Sequence, residues 1–511
     1  MGIIIRQSIK GTIVNYVGAF IGFVITFAIT TKFLTAEEIG LVRILLEAGL
    51  LFGALSQMGI SSSAIRFYPY FKDEKNKDNG FFFWTIIIPL IGFILTTLLF
   101  IILKNPISRY FSENSALFVN YYYYIIPLGF FVLYIVVFET NANVLMRIVV
   151  PKFIREIGIR LMTLVVYLLY AFRYINLDWF ITLLVSVYGV ATLLNVIYLF
   201  SLKKVSFKPN WSFISKPLRN SFLFYTSFLI LATLSGSIMG KLDVFIVSGQ
   251  LGLQDAGIYS IAFYIAIIVE IPYRSLLAIS LPEISQSIKD KDIAYTNTLC
   301  RRISLHQFLT ACFIFLLIWI NIDFVFELLP NGKIYASGKW VVFFIGLSRL
   351  IDSSFSISLA VLNFSKYYYY SLLFTFALVG LVIASNLQFI PIFGMTGAAL
   401  AMLVSYTLYI ISLLIFTQWK LKINPLSYGL IKVVVTALLI IAISWLWKHF
   451  VSPHLFATTI NQLLLLFINA TGKTVLALGI GFLLVYKWKV SDEVNNLVDK
   501  FLSKIGINLG K

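Results

Sequence analysis

The chain has 511 residues, of which 60% are hydrophobic, 16% aromatic and only 12% charged, a composition far outside the range of soluble globular proteins. Its 40 Lys and Arg against 22 Asp and Glu give a net charge of +18, which would suit a nucleic-acid partner if the charges were clustered on a folded surface. They are not: about fourteen apolar stretches follow one another with almost nothing between them, which leaves no room for a soluble catalytic domain.

In chain order the predicted spans are about 11–33, 39–65, 80–103, 117–139, 152–171, 178–202, 220–249, 255–281, 299–320, 339–363, 367–386, 394–417, 426–447 and 463–486. Most reach the roughly 20 apolar residues that cross a hydrocarbon core. The runs are continuously apolar rather than alternating, so the prediction is an all-α integral membrane protein and not a barrel. Gly18, Gly22, Pro89, Gly236, Gly240 and Pro272 fall inside spans, where membrane helices tolerate them and small residues permit close approach. No small-residue cleavage site follows a short apolar core near Gly11, so the first span is read as retained.

Assigning the loops alternately to two sides places 26 of the 40 cations on one side, seven on the other and seven within helices. The rich side holds Arg6, Lys10, Lys72 to Lys77, the Lys203–Arg219 connection, Lys289 to Arg302 and the tail from Lys487 to Lys511. By the positive-inside rule that side is cytoplasmic, with both termini inside. The positive charge is then a topology signal and an attraction for anionic headgroups, and no nucleic-acid partner is expected.

Cys300 and Cys312 lie twelve apart on one predicted helix, about 18 Å at helical rise, too far for a mutual disulfide. His306, His449 and His454 have no metal spacing with any carboxylate, so neither a metal nor an organic cofactor is expected. Tyr121 to Tyr124 and Tyr367 to Tyr370 read as rings at headgroup depth, with sugar stacking as the alternative.

An internal repeat is visible. Setting Gly40 against Gly257, an ungapped alignment runs to Lys72-Asp73 against Lys289-Asp290, with five identities in 34 positions. The shared order of helix, acidic turn, helix and basic loop carries more weight than the identities. The expected organisation is a six-helix bundle over 1–205, a second over 206–420, and a helix pair with a basic tail over 421–511.

Three segments, with the fourteen-span layout, carry a resemblance: Leu34 to Gly40 (LTAEEIG), Lys241 to Ala262 (KLDVFIVSGQLGLQDAGIYSIA) and Pro391 to Ala401 (PIFGMTGAALA). With them the chain resembles the polysaccharide-export branch of the multidrug/oligosaccharidyl-lipid/polysaccharide flippase superfamily, typified by the O-antigen (Wzx-type) flippases. The resemblance implies a V-shaped transporter with a central cavity between two bundles. Its substrate would be a lipid-linked glycan, moved from the cytoplasmic to the outer leaflet. Gly394, Gly397 and Ala398 match the family's small-residue helix start, whose role is close packing.

A charge near the bilayer centre costs about 2.5–3.5 kcal/mol on insertion scales, so it faces a cavity or a partner. Arg349 and Asp352, Glu270 and Arg274, and Arg43 and Glu47 each share a helix face by spacing. Lys241 and Asp243 point different ways, and Arg160 is read as having no local carboxylate. Arg160, Lys241, Arg274 and Arg349, with Arg66 at the cytoplasmic end of the second span, are the expected contacts to a diphosphate headgroup. Asp243, Glu270 and Asp352 are the ion-coupling candidates, for H⁺ or Na⁺. The neutral alternative is that the pairs only lock packing.

The leading expectation is a flippase in the bacterial inner membrane for a polyprenyl-diphosphate-linked oligosaccharide. Its partners would be membrane lipids and other polysaccharide assembly proteins. A multidrug cation antiporter is the nearest rival, though it favours a carboxylate-dominated cavity. A membrane-embedded polymerase or glycosyltransferase ranks below both, because Asp323 and Glu327 are the only acids on the first long external connection and 448–462 has none.

Overall fold

Helix occupies each of the fourteen predicted stretches, and no strand occurs among the described residues of this computed structural model. The structure describes residues 14–73, 76–202, 208–239, 241–452 and 462–504, apart from positions 16, 212 and 214. Arg6, Lys10, Gly240, His454, part of the Lys203–Arg219 connection and the end of the tail lie outside these residues. The chain is an all-helical, multi-pass membrane protein.

Ten described helices are long and apolar enough to cross a membrane. We label those that position functional groups: α1 (Val17–Phe33), α2 (Ala36–Phe71), α3 (Asp78–Ile102), α4 (Tyr122–Val144), α5 (149–171), α6 (Leu177–Ser201), α7 (Lys216–Met239), α8 (Leu242–Leu251), α9 (253–289), α10 (Ile293–Ile320), α11 (Gly332–Phe364), α12 (Tyr370–Leu421), α13 (Tyr428–Val451), α14 (Gln462–Lys487) and α15 (Asp492–Lys504).

The count falls below fourteen for physical reasons. α12 runs for 52 residues but is broken at Gly394, whose φ of 59° and ψ of −140° are not helical. Ser405 Oγ meets Ser385 Oγ at 3.2 Å, and Phe416 packs on Tyr370 at 4.8 Å between ring centroids. The two halves therefore run antiparallel, as a hairpin of two predicted spans with almost no loop. Gly397 packs against Phe389 O, where a Cβ would collide. Charges at 152, 155, 156 and 160 shorten the apolar part of α5. The predicted 220–249 span is two helices, α7 and α8, interrupted at Lys241.

Local chemistry sets several ends. Thr35 and Glu38 form a complete capping box that starts α2, satisfying two of the amides a helix start leaves free. Asn176 and Asp292 cap α6 and α10 by accepting from Trp179 N and Tyr295 N. Pro272 lacks an amide hydrogen, and the turn before it, Ile267–Glu270, is a 3₁₀ helix.

By backbone packing the chain forms two compact units, 1–260 and 261–511. In the second, Val433 and Ile440 of α13 and Ala477 and Val485 of α14 share one core with Ala311, Phe315 and Leu316 of α10. Cys300 and Cys312 are both free and buried. In the first tyrosine run, Tyr122 is fully buried, stacked on Phe100 at 4.3 Å and donating to Phe100 O. Tyr121 donates to Asp178 at 2.6 Å. Tyr122 thus ties α4 to α3, Tyr121 ties the start of α4 to α6, and Tyr123 beside them is exposed.

Candidate functional site

Three ion clusters lie within the membrane helices, and each includes a residue at an interruption. The first joins α2 to the α7–α8 break. Arg43 Nη2 pairs with Glu47 Oε1 at 2.8 Å, and Lys241 Nζ reaches Glu47 Oε2 at 3.2 Å. Because helix α8 starts only after Lys241, the ammonium can reach α2. Lys241 is thus paired with a carboxylate on another helix, as its divergence from Asp243 in the sequence suggested. Asp243, two residues on, is buried.

The second cluster lies around a π-helical turn of α5, Ile154–Gly158, a distortion that concentrates at functional sites. Arg155 Nη1 meets Glu139 Oε2 of α4 at 2.6 Å, Arg155 Nε meets Glu156 Oε1 at 3.1 Å, and Arg160 Nη2 meets Glu156 Oε2 at 3.4 Å. This corrects the reading of Arg160: Glu156 stands four residues before it, one helical turn away, and neutralises it. Glu139, Arg155 and Glu156 were missed, although the spacing of Glu156 and Arg160 was a visible signal. Gly22 of α1 lies against the Arg160 guanidinium, which a Cβ would approach to 3.1 Å. Arg160 Nη1 is buried without a hydrogen-bond partner.

The third cluster is in the second unit. Arg349 Nη1 lies 3.5 Å from Glu270 Oε2 and 3.8 Å from Asp352 Oδ2. Glu270 ends the 3₁₀ turn before Pro272, and Asp352 accepts from Ser356 Oγ at 2.5 Å where α11 changes course. Arg349 is 7% exposed, and its guanidinium lies 5.1 Å from the Tyr406 ring and keeps Nε unbonded. The Arg349–Asp352 spacing was legible. The meeting with Glu270 was not, since 79 residues separate them in sequence. The side chain of Arg274, the partner expected for Glu270, lies outside the described residues.

Arg66 stands apart from all three. It is exposed and stacks on Tyr225 at 4.0 Å.

The conspicuous segments have structural work. In Leu34–Gly40, Glu38 completes the capping box and accepts a hydrogen bond from Tyr170. In Lys241–Ala262, Gly252 adopts φ +99°, Ser115 Oγ donates to Ser248 O at 2.6 Å, and Asn114 Nδ2 donates to Gly249 O at 3.0 Å. Gly40 and Gly257 touch each other's helices: a Cβ on Gly40 would be driven into Leu253 O, and one on Gly257 into Ala36 O.

Residues 5–288, more than half of the chain, match the family described as polysaccharide biosynthesis protein. The chain belongs to that family. The chain also shares its fold with solved transporters. It is similar to a lipid II flippase MurJ in an inward closed conformation, at 14% identity and a TM-score of 0.65, over 94% of this chain and 99% of that one. It is similar to a multidrug resistance MATE family transporter of the MOP superfamily in an inward-facing conformation, at 14% identity and a TM-score of 0.57, over 77% and 92%. An outward-facing conformation of such a MATE transporter aligns at 14% identity and a TM-score of 0.50, over 82% and 95%. Among curated proteins no sequence matches.

Proposed function

We propose that the protein is a Wzx-type flippase that carries a polyprenyl-diphosphate-linked oligosaccharide from the cytoplasmic to the outer leaflet of the bacterial inner membrane. It would supply O-antigen, capsule or exopolysaccharide assembly, working by alternating access from six, six and two helices with both termini cytoplasmic. One observation carries the reading. In a member of the polysaccharide biosynthesis family, buried or half-buried cations sit at interrupted membrane helices, where transporters of other folds build their substrate sites.

Every such cation that the structure describes in these clusters already faces a carboxylate. A diphosphate bound by Lys241, Arg160 or Arg349 would therefore displace Glu47, Glu156, or Glu270 and Asp352. A carboxylate left in the bilayer without its cation takes up a proton or Na⁺. Exchange of partners couples the substrate anion to a cation without a separate ion site. Asp243 would serve the same role beside Lys241. Arg66 and Arg274 would meet the headgroup before it reaches the buried cations. The protein binds and moves its substrate and performs no covalent chemistry.

The experiment is deletion of the gene in its host, followed by complementation. Loss of surface glycan with lipid-linked oligosaccharide trapped on the cytoplasmic leaflet supports the reading. Normal glycan in the deletion strain ends it. The fold shared with multidrug MATE transporters favours a second reading, cation-coupled drug efflux. Drug efflux from proteoliposomes with no glycan defect would select that one.

A further inference from the structure

Outside the three clusters, one acid and three lysines meet at one end of the second unit. Asp323 is in the short helix Ile322–Leu328, which follows α10. Its Oδ1 pairs with Lys339 Nζ, and its Oδ2 lies 3.7 Å from Lys448 Nζ in the π-helical turn Trp447–Val451. Lys473 of α14 interacts electrostatically with all three. Its neighbour Thr474 accepts a hydrogen bond from Asn321 Nδ2 at 2.7 Å, which pins α14 to the same corner.

The charges do not balance. Burial pushes the Asp323 carboxyl up, but Lys339, Lys448 and Lys473 together outweigh it and hold the group below the usual carboxylate range. Asp323 is therefore ionised near neutrality, and one negative charge faces three positive ones. Glu327, one turn further, is exposed and makes no ion pair among the described residues. Lys473 adds to the imbalance, because it interrupts an otherwise apolar membrane-length helix and is half-buried there.

Aromatic rings set the depth. Trp319 packs against Trp340 at 5.6 Å and Phe343 at 4.6 Å, and Lys339 Nζ lies 5.7 Å from the Trp319 ring. Trp447 Nε1 donates to Asn469 at 2.7 Å, and Trp445 is exposed beside it. Tryptophans gather where hydrocarbon meets headgroups. At that level the anion always present is lipid phosphate, and three ammonium groups facing a single carboxylate leave net positive charge to attract it. Compact ammonium groups from α11, α13 and α14 suit a phosphate that turns about its ester bond, since each acts as a point charge rather than a fixed fork.

We propose that Lys339, Lys448 and Lys473, held in register by Asp323, form a binding site for the phosphate of an anionic phospholipid headgroup lying against the C-terminal helix pair.

The test is native mass spectrometry of the full chain in detergent, titrated with dioleoylphosphatidylglycerol, dioleoylphosphatidylcholine or inorganic phosphate. Wild type should retain phosphatidylglycerol about tenfold more tightly than phosphatidylcholine. The Lys448→Gln/Lys473→Gln double variant should lose that preference for one lipid equivalent while keeping its thermal unfolding temperature. If the double variant unfolds early, Lys339→Gln/Lys448→Gln replaces it, leaving the membrane face of α14 intact. Equal retention of the two lipids by wild type, or an unchanged preference in a folded variant, overturns the proposal. Displacement of the lipid by inorganic phosphate at comparable concentration also overturns it, because the site would then read free phosphate.

Discussion

Gly40 and Gly257 face each other in reciprocal register: each stands where the other helix's backbone passes, Gly40 at Leu253 O and Gly257 at Ala36 O. A built Cβ on either would also lie 3.1 Å from the other glycine's nitrogen. These are the two residues that align in the internal repeat, and their carbonyl partners each stand four positions earlier, so the contact has the symmetry of the alignment.

Gly40→Ala and Gly257→Ala should each destabilise the protein, by about 1–3 kcal/mol for forcing extra volume into a packed contact. The two losses should be alike. The double variant should lose less than their sum, because helices pushed apart by one methyl leave room for the other. Thermal unfolding of the four proteins in detergent measures this, and strictly additive losses would contradict the reciprocal contact.

Arg349 should matter more for abundance than either of its acids. Removing one partner of a buried ion pair costs about 3–5 kcal/mol, and Arg349→Gln would leave Glu270 and Asp352 facing each other. Asp352→Asn should be milder, since Glu270 still faces the guanidinium. The double variant Arg349→Gln/Asp352→Asn should recover membrane abundance relative to Arg349→Gln, while transport stays lost because the cation is gone. Recovered transport in the double variant would remove Arg349 from the substrate site.

Arg160→Ala, Lys241→Ala and Arg349→Lys address the headgroup. The first two should abolish surface glycan, and Arg349→Lys should rescue only partly, for want of a planar two-donor fork. Glu156→Gln should do the opposite of Arg160→Ala at the binding step, tightening the substrate by freeing the guanidinium and slowing its release. Binding and transport, measured separately on the same preparations, distinguish these outcomes.

Orientation is tested by thiol labelling in intact cells. Cysteines placed between Lys203 and Arg219 should resist an impermeant reagent, and a cysteine replacing the exposed Gln254 should react. Gln254 is a better probe than Gly252, whose φ of +99° a cysteine would strain. The reverse labelling pattern would invert the proposed topology.

The tail helix α15 should detach in acid. Burial pushes the Glu493 carboxyl up, but amide and Ser491 hydroxyl donors, with His306 and Arg302, together outweigh it and hold the group below its ordinary value of 4.5. A carboxylate depressed in the folded state stabilises it above the unfolded value, and that contribution is lost as pH falls through the folded one. Hydrogen exchange across α15 should therefore rise as pH falls below the ordinary carboxylate range, and Glu493→Gln should raise it at neutral pH by breaking the 2.8 Å contact to Arg302.

Much of the architecture was legible because membrane helices announce themselves by apolar length. The Gly40–Gly257 match was legible too, through the internal repeat, whereas the caps at Thr35 and Asn176 came only with the structure. What escaped was the interruption of helices. The run 220–249 was read as one span, whereas a new helix starts at Leu242, and it is that break which lets Lys241 reach Glu47. The site was legible as a set of charges but not as a set of partners. Glu270 and Glu139 meet their arginines through folding rather than spacing, and Glu156 was overlooked although its spacing to Arg160 was plain.

Gly394 fixes more than a turn. Without its reversal the 52 residues of α12 would form one rod about 78 Å long at helical rise, against a hydrocarbon core of about 30 Å. The chain must fold back there, and the fold-back decides parity: every segment after Leu421 owes its side of the bilayer to one residue that carries no side chain. A branched substitution at Gly394 would therefore threaten where the remainder of the chain is delivered, a failure of address rather than of packing.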